Sequence, residues 1–281
     1  MRFIIISNAR CGTTYVSKAL SQFSQQVSGY NSNLNELFRF YGPLDYITDN
    51  NNRITFRQPK HNEDYESTLE EKEARNYRFN KILREHPINF TLKIHTSQFD
   101  SNLLLKDSIM DIDKLFDNKD TFPILLYRED QLDRFISKLY AQVMDKYNLH
   151  HFDKRPNLKD LNASYDRTRD MGNLIDYAKT CKLLRELYHT YKWSLVIRYE
   201  DLCGDPVKDF GHMFKNKVTP ITNITKKLGG KEDKRENLHN FDMLRHDFDM
   251  VSQYYGIERY MSLPKFDKSK VDFTKNKPYL I

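Results

Sequence analysis

The segment Arg2-Phe3-Ile4-Ile5-Ile6-Ser7 is followed directly by Asn8-Ala9-Arg10-Cys11-Gly12-Thr13-Thr14-Tyr15. The first segment is short, apolar and rich in β-branched residues, which is typical of a strand buried in a sheet. The second contains small and polar residues around one glycine, and the apolar residues after it recur at helical spacing. Together the two segments predict a strand, a tight turn and the start of a helix.

The turn of this unit carries groups that can bind an anionic phosphate. A helix N-terminus presents unpaired backbone N–H groups, where negative charge is favoured. Gly12 lets the backbone approach a ligand closely, Thr13 and Thr14 offer hydroxyl donors, and Arg10 offers a positive charge. An ordinary helix start with Thr13 as its N-cap explains the same residues. The turn is not a Walker A loop, because the sequence contains no G-x-x-x-x-G-K-[ST].

Length, charge and cysteine content narrow the class of protein. The chain has 281 residues, a formal net charge of +6 and three cysteines. This length predicts one domain over residues 1–281, with loop and helical excursions around 42–87 and 145–192. The dispersed positive charge suits an anionic ligand but does not favour nucleic acid. The cysteine spacing indicates neither a disulfide framework nor a metal site and predicts a cytoplasmic protein, and no apolar run is long enough for a membrane span.

Apolar strand segments alternate with helical segments along the chain. Strands are predicted at 88–95, 122–127 and 193–197, and helices at 63–86, 103–117, 129–147, 172–191 and 241–255. Residues 42–62 and 226–240 are predicted as loops. This alternation predicts an α/β fold, in which a parallel β-sheet is flanked by helices on both faces.

Chemically useful residues follow the predicted strand ends, where parallel sheets bind their ligands. Four such positions follow predicted strands: Asn8–Thr14, His95, Arg128 and Tyr199. Their common placement indicates one shared site. Arg128 can make a bidentate contact to a phosphate, and Ser137 on the following helix can complete it with a hydroxyl. A solvent-exposed arginine and an ordinary helix serine are the alternative interpretation.

Several of these segments resemble sulfotransferases that use 3′-phosphoadenosine 5′-phosphosulfate (PAPS). Arg10-Cys11-Gly12-Thr13-Thr14 resembles the family's Lys/Arg-Ser-Gly-Thr-Thr loop, with Cys11 in place of the serine. The resemblance implies a P-loop-like fold in which this loop holds the 5′-phosphosulfate. It implies that Arg128 and Ser137 bind the 3′-phosphate, and their nine-residue offset is most similar to bacterial trehalose 2-sulfotransferases. Tyr199, in Tyr199-Glu200-Asp201-Leu202, stands where the family's tyrosine approaches the adenine.

Two residues are candidates for the general base. Leu92-Lys93-Ile94-His95 resembles the Lys-Thr-His strand end of cytosolic sulfotransferases, which implies His95 as the base and adds Lys93 as a catalytic candidate. An imidazole with an ordinary pKa of about 6.5 suits this task at neutral pH. Asn35-Glu36-Leu37-Phe38 resembles the Gln-Glu-Phe-Phe of the trehalose type, whose glutamate is the base, but Glu36 would need its pKa raised by burial. The strand-end position slightly favours His95.

A late basic stretch adds a further resemblance. Residues 226–235 contain five lysine or arginine residues around Gly229 and Gly230. The stretch loosely resembles the family's late Arg-Lys-Gly loop, which closes over the 3′-phosphate. A solvated run of charges explains it as well.

The sequence therefore predicts a PAPS-dependent sulfotransferase. It would move a sulfuryl group to a hydroxyl or amine of a small-molecule or carbohydrate acceptor and release 3′-phosphoadenosine 5′-phosphate. Arg10 would stabilise the charge that develops on the leaving phosphate, and no metal is expected. A P-loop nucleotide kinase and a non-catalytic nucleotide-binding protein are the alternatives. The missing Walker lysine argues against the first, and His95 with Glu36 argues against the second.

Overall fold

The structure is a computed structural model that describes a β-sheet and helices around it. The described residues are 2–20, 22, 25–26, 45–48, 54–57, 90–96, 116, 121–146, 157–215, 217–221, 231–264, 267 and 271–273. The account below concerns these residues. Glu36, one of the two candidate bases, lies outside them, as does nearly all of the helical prediction for 63–86 and 103–117.

A parallel sheet of five strands forms the centre of the molecule, in the order β2-β5-β1-β6-β7. These strands are β1 (Arg2–Ser7), β2 (Gln25–Gln26), β5 (Phe90–His95), β6 (Thr121–Tyr127) and β7 (Leu195–Arg198). The central strand β1 pairs with β5 and β6, so that Ser7 lies opposite both His95 and Leu126. The strands therefore end at one common edge.

Helices of very different length connect and cover the strands. They are α1 (Thr13–Leu20), α2 (Gln131–Lys146), α3 (Arg167–Thr190), α4 (Pro206–Phe210), α5 (Lys231–Glu236) and α6 (Phe241–Tyr255). Short 3₁₀ turns occur at Leu158–Leu161, Tyr199–Asp201 and Gly211–Phe214. Asp166 starts α3 ahead of the predicted residue 172, because its side chain accepts a hydrogen bond from the backbone N–H of Arg169 at 2.9 Å.

Each face of the sheet has its own apolar core. Successive residues of a strand point to opposite faces, so Ile4 and Ile6 pack against α2, α3 and α6. Phe3 and Ile5 pack on the other face against α1, α4 and residues 271–273. All six residues of β1 are buried, which is why the strand has no polar alternation. The predicted α/β fold, with a parallel sheet covered by helices on both faces, is confirmed.

Two predicted loops contain regular structure instead. Asp45–Thr48 (β3) and Ile54–Arg57 (β4) pair as an antiparallel two-stranded sheet inside the predicted loop 42–62. The dense Asn, Asp and Pro content of this region obscured two short β-branched and aromatic segments. Helix α5 likewise lies in the predicted loop 226–240 and is made of charged residues with no apolar periodicity. No helix in the described parts of the chain has the length and apolar character needed to cross a bilayer.

Candidate functional site

The loop between β1 and α1 (residues 8–12) has an unusual backbone. Arg10 (φ 68°) and Gly12 (φ 81°) both adopt the left-handed conformation. This conformation costs a non-glycine residue about 1–2 kcal/mol and is concentrated at functional sites. A Cβ on Gly12 would stand 2.9 Å from Cδ2 of Tyr199, so only glycine fits there. The loop leads straight into α1, whose first backbone N–H groups have no partner within the helix and can face an anion.

Cys11 turns its side chain inward, and its thiol donates a weak hydrogen bond to the carbonyl of Ala9 in the same loop at 3.9 Å. It is completely buried among apolar residues of the core that α1 covers. Burial raises the pKa of its thiol to about 11, so the group is a neutral thiol at pH 7. Of the groups on Cys11, only the backbone amide is left to contact a ligand. A thiol therefore stands where the resembled loop has a serine, and it is buried in the core.

Lys93 joins the strand β5 to the start of α1. Its ammonium group donates a hydrogen bond to Oγ1 of Thr14 at 3.3 Å. The lysine is buried and Thr14 is half-buried, while the neighbouring Thr13 is buried and Arg10 is exposed. A positive charge and two threonine hydroxyls are therefore collected at the N-terminus of one helix. An anionic group is favoured at such a point both by charge and by hydrogen bonding.

His95 lies at the end of the same strand as Lys93, two residues further on. Its Nδ1 is 3.4 Å from Oγ of Ser7, which ends the neighbouring strand β1. Burial, and after it the nearby charge of Lys93, lowers the pKa of His95 to about 4, well below the ordinary value of about 6.5 assumed from the sequence. The imidazole is therefore neutral at pH 7, the form in which it can accept a proton.

Arg128 and Ser137, the second predicted pair, are in direct contact. Nη1 of Arg128 donates a hydrogen bond to Oγ of Ser137 at 3.0 Å, and both side chains are buried. The ammonium group of Lys234 on α5 also donates to this oxygen, at 3.4 Å. A hydroxyl oxygen accepts at two lone pairs, so its own proton must point to a third group. Two cations and a hydroxyl thus converge on one small region.

Two carboxylates hold Arg128 in place without taking up its donors. Nη2 is 3.7 Å from a carboxylate oxygen of Asp133, and Nε is 3.7 Å from one of Glu200. These distances are ion pairs and are too long for hydrogen bonds. The buried Nε–H of Arg128 makes no hydrogen bond to any part of the chain that the structure describes. The facing oxygens, Oε1 of Glu200 and Oδ2 of Asp133, are likewise buried without a hydrogen bond, so a water or a polar ligand is needed to satisfy the groups around Arg128.

Tyr199 lies between the β1–α1 loop and Arg128. Its ring is packed over Gly12, and Cζ of Arg128 is 5.0 Å from the ring centroid, within range of a cation–π contact. Burial raises the pKa of its phenol, so it is neutral at pH 7. The aromatic ring forms a surface that connects the two groups of anion-binding residues.

The structure adds residues for which the motifs had no assignment. Arg134 is buried beside the β1–α1 loop, where its Nη1 donates to the carbonyl of Ala9 at 3.4 Å. It stands among the apolar residues of α2, and no local pattern distinguishes it from an exposed helix arginine. Lys234 belongs to the basic stretch at residues 226–235, but only the fold shows that this lysine reaches Ser137.

Comparison of the chain with protein-family models, curated proteins and solved structures finds no match.

Proposed function

We propose that this protein is a PAPS-dependent sulfotransferase. The observation that carries the proposal is the contact of Arg128, Ser137 and Lys234 at the sheet edge that also holds the β1–α1 loop. Each of the two places concentrates donors and positive charge. A nucleotide whose ribose carries one anionic group at its 3′ position and another at its 5′ position, with an adenine at C1′, has the chemistry to use both.

The residues of the site fit such a nucleotide. Arg128 keeps an unused buried Nε–H, and Ser137 has a hydroxyl proton that its two cationic neighbours direct away from themselves. These groups would hold the 3′-phosphate. The loop amides, Arg10 and the contact between Lys93 and Thr14 would hold the 5′ end. Tyr199, with its ring over Gly12, would lie against the adenosine.

His95 would act as the general base of this site. PAPS supplies the sulfuryl group, and the chain has to remove a proton from the acceptor and stabilise the departing phosphate. His95 is neutral at pH 7 and lies in the same strand as Lys93, so a proton acceptor and a positive charge share one side of the strand end. The N-terminus of α1 and Arg10 would stabilise the developing negative charge.

Nucleotide affinity tests the proposal directly. We expect 3′-phosphoadenosine 5′-phosphate to bind more tightly than adenosine 5′-phosphate in isothermal titration calorimetry. Ser137→Ala should reduce this preference by the contribution of one hydrogen bond, about 0.5–1.5 kcal/mol. Arg128→Ala should reduce it by about 1.5–3 kcal/mol, because the lost hydrogen bond involves a charge. The affinity for the monophosphate should stay nearly constant in both variants.

A buried serine outside the site provides the control. Ser252 on α6 is buried and its Oγ has no hydrogen-bond partner in the described structure, so Ser252→Ala should leave both affinities unchanged. Equal affinity of the native protein for the two nucleotides would contradict the proposal. Tighter binding of ATP with Mg²⁺ would favour the kinase alternative. Incubation with PAPS and sets of carbohydrates, phenols and peptides, read by mass spectrometry as sulfate addition, then identifies the acceptor.

A further inference from the structure

Arg134 on α2 is a buried cation in contact with the β1–α1 loop. Only 2% of its surface is exposed. Its Nη1 donates to the carbonyl oxygen of Ala9 at 3.4 Å. With the amide of Asn8 turned so that its oxygen faces the guanidinium, Nη1 also donates to Asn8 Oδ1 at 3.2 Å. The guanidinium therefore contacts two consecutive residues of the loop.

The same guanidinium is connected to the end of β6. Its Nε donates to Oε1 of Gln131 at 3.1 Å, and the amide nitrogen of Gln131 donates to the backbone carbonyl of Arg128. Hydrogen bonds thus run without interruption from the β1–α1 loop through Arg134 and Gln131 to Arg128. These are the two places at which the proposed nucleotide would be held by its phosphates.

The surroundings of Arg134 are not those of an ion pair. Its other contacts are with the hydroxyl and ring of Tyr177 and with Sγ of Cys181 at 3.1 Å. Burial raises the pKa of both of these groups, so both are neutral. No carboxylate in the described part of the chain pairs with Arg134. A buried charge of this kind contributes little to stability compared with an apolar side chain, so a role at the site is the better explanation.

We propose that Arg134 is a positioning residue that couples the two anion-binding places by fixing the β1–α1 loop relative to Arg128. The inference rests on the proposed function and deepens it. If the two anion-binding places are already held at a fixed distance, less conformational entropy is lost when a ligand binds to both. A ligand that contacts only one of them gains nothing from this. Arg134 and Gln131 therefore set the preference for a nucleotide with two phosphate groups over one with a single phosphate.

Two variants interrupt this connection without removing the charge. Arg134→Lys keeps the cation but lacks the planar fork that reaches both Ala9 and Gln131. Gln131→Met keeps the side-chain volume and leaves Arg134 in place. The matched control is Gln253→Met, at an exposed glutamine of α6. Calorimetric titrations would use 3′-phosphoadenosine 5′-phosphate, adenosine 5′-phosphate and adenosine 3′-phosphate.

We expect both variants to bind the bisphosphate about tenfold or more weakly, and each monophosphate less than about threefold more weakly. The control should match the native protein. An equal loss for all three nucleotides, or no loss at all, would overturn the proposal. If Arg134→Lys does not fold, as judged by circular dichroism, Gln131→Met decides alone. A native protein with no preference for the bisphosphate would instead refute the proposed function, and the coupling with it.

Discussion

At the scale of single residues, His95 shows how an environment selects a protonation state. Its pKa is lowered to about 4, first by burial and then by the charge of Lys93 two residues away. A lysine and a histidine on one side of a strand repel each other when both are charged, so the histidine becomes the neutral partner. This keeps the ring of His95 unprotonated over the whole physiological range of pH, and the same low pKa makes it a weaker base than an ordinary histidine.

Replacement of His95 by alanine should therefore remove the base. We expect turnover with PAPS and the acceptor found by screening to fall about 10²–10⁴-fold, with little change in the affinity for 3′-phosphoadenosine 5′-phosphate. Glu36→Gln should cause a smaller loss, because the sequence places His95, and not Glu36, at a strand end on the sheet edge that carries the phosphate loop. If Glu36→Gln abolishes turnover and His95→Ala retains most of it, the glutamate-based mechanism is the correct one.

The lowered pKa of His95 also predicts how turnover and stability depend on pH. Turnover of the native protein should persist as the pH falls and then decrease near pH 4, where the ring of His95 takes up a proton. The unfolded chain, with a histidine pKa of about 6.5, binds this proton earlier. The free energy of unfolding should therefore decrease as the pH falls from about 6.5 to 4, and His95→Ala should remove this contribution.

At the scale of elements, α5 is held against α2 by a row of contacts. Arg235 donates to carboxylate oxygens of Asp133 at 2.8 Å and of Asp130 at 2.9 Å. Lys234 contacts Ser137, and its backbone carbonyl accepts from the hydroxyl of Tyr140 at 3.1 Å. Asp130, directly before α2, and the α2 residues Asp133, Ser137 and Tyr140 follow helical spacing, so they form one face. A short charged helix is thereby fixed beside Arg128.

Loss of Arg235 should loosen α5 and weaken the site at the same time. We expect Arg235→Met to lower the free energy of unfolding by about 1.5–3 kcal/mol in urea denaturation, because two buried carboxylates each lose one charged donor. The affinity for 3′-phosphoadenosine 5′-phosphate should fall in calorimetry, since Lys234 is no longer held near Ser137. Arg245→Met, at an exposed arginine of α6, is the matched control. A loss of stability with unchanged affinity would show that α5 supports the fold and not the site.

At the scale of the whole molecule, the candidate site is assembled from segments far apart in the chain. Lys93 lies 79 residues from Thr14, and Lys234 lies 97 residues from Ser137. The unfolded chain cannot bring these groups together, because closing such long loops costs conformational entropy that nothing in the unfolded state offsets. A ligand of this site should bind only the folded protein.

Saturating nucleotide should therefore raise the melting temperature. At a concentration about 100-fold above its dissociation constant, 3′-phosphoadenosine 5′-phosphate should add about 2.7 kcal/mol to the free energy of unfolding. For a chain of this size that corresponds to a shift of about 5 °C or more in a thermal melt. Adenosine at the same concentration is the control and should have a much smaller effect. A melting temperature that does not respond to the bisphosphate would argue strongly against the site.

Local patterns were sufficient to predict the α/β class of the fold and several of the candidate residues that lie together. The apolar run of β1, the turn after it and the helical spacing beyond Thr13 are properties of neighbouring residues, and the structure has them as predicted. The alternation of strands and helices then implied a parallel sheet, and a parallel sheet places all strand ends at one edge. The proximity of His95 to Ser7, and the contact of Arg128 with Ser137, follow from that topology.

The sequence by itself thus determined the α/β fold and the edge at which the candidate residues meet, because both depend on patterns of short range. Only the tertiary structure decided that Cys11 points into the core, that Arg134 is buried at the loop, and that Lys234 reaches Ser137. Helix α5 is a case of the same kind, since its charged residues have no apolar period and are held by contacts with α2. The physical reason is that burial and long-range hydrogen bonds depend on which elements pack together. The residues next to each other in the sequence do not determine this packing.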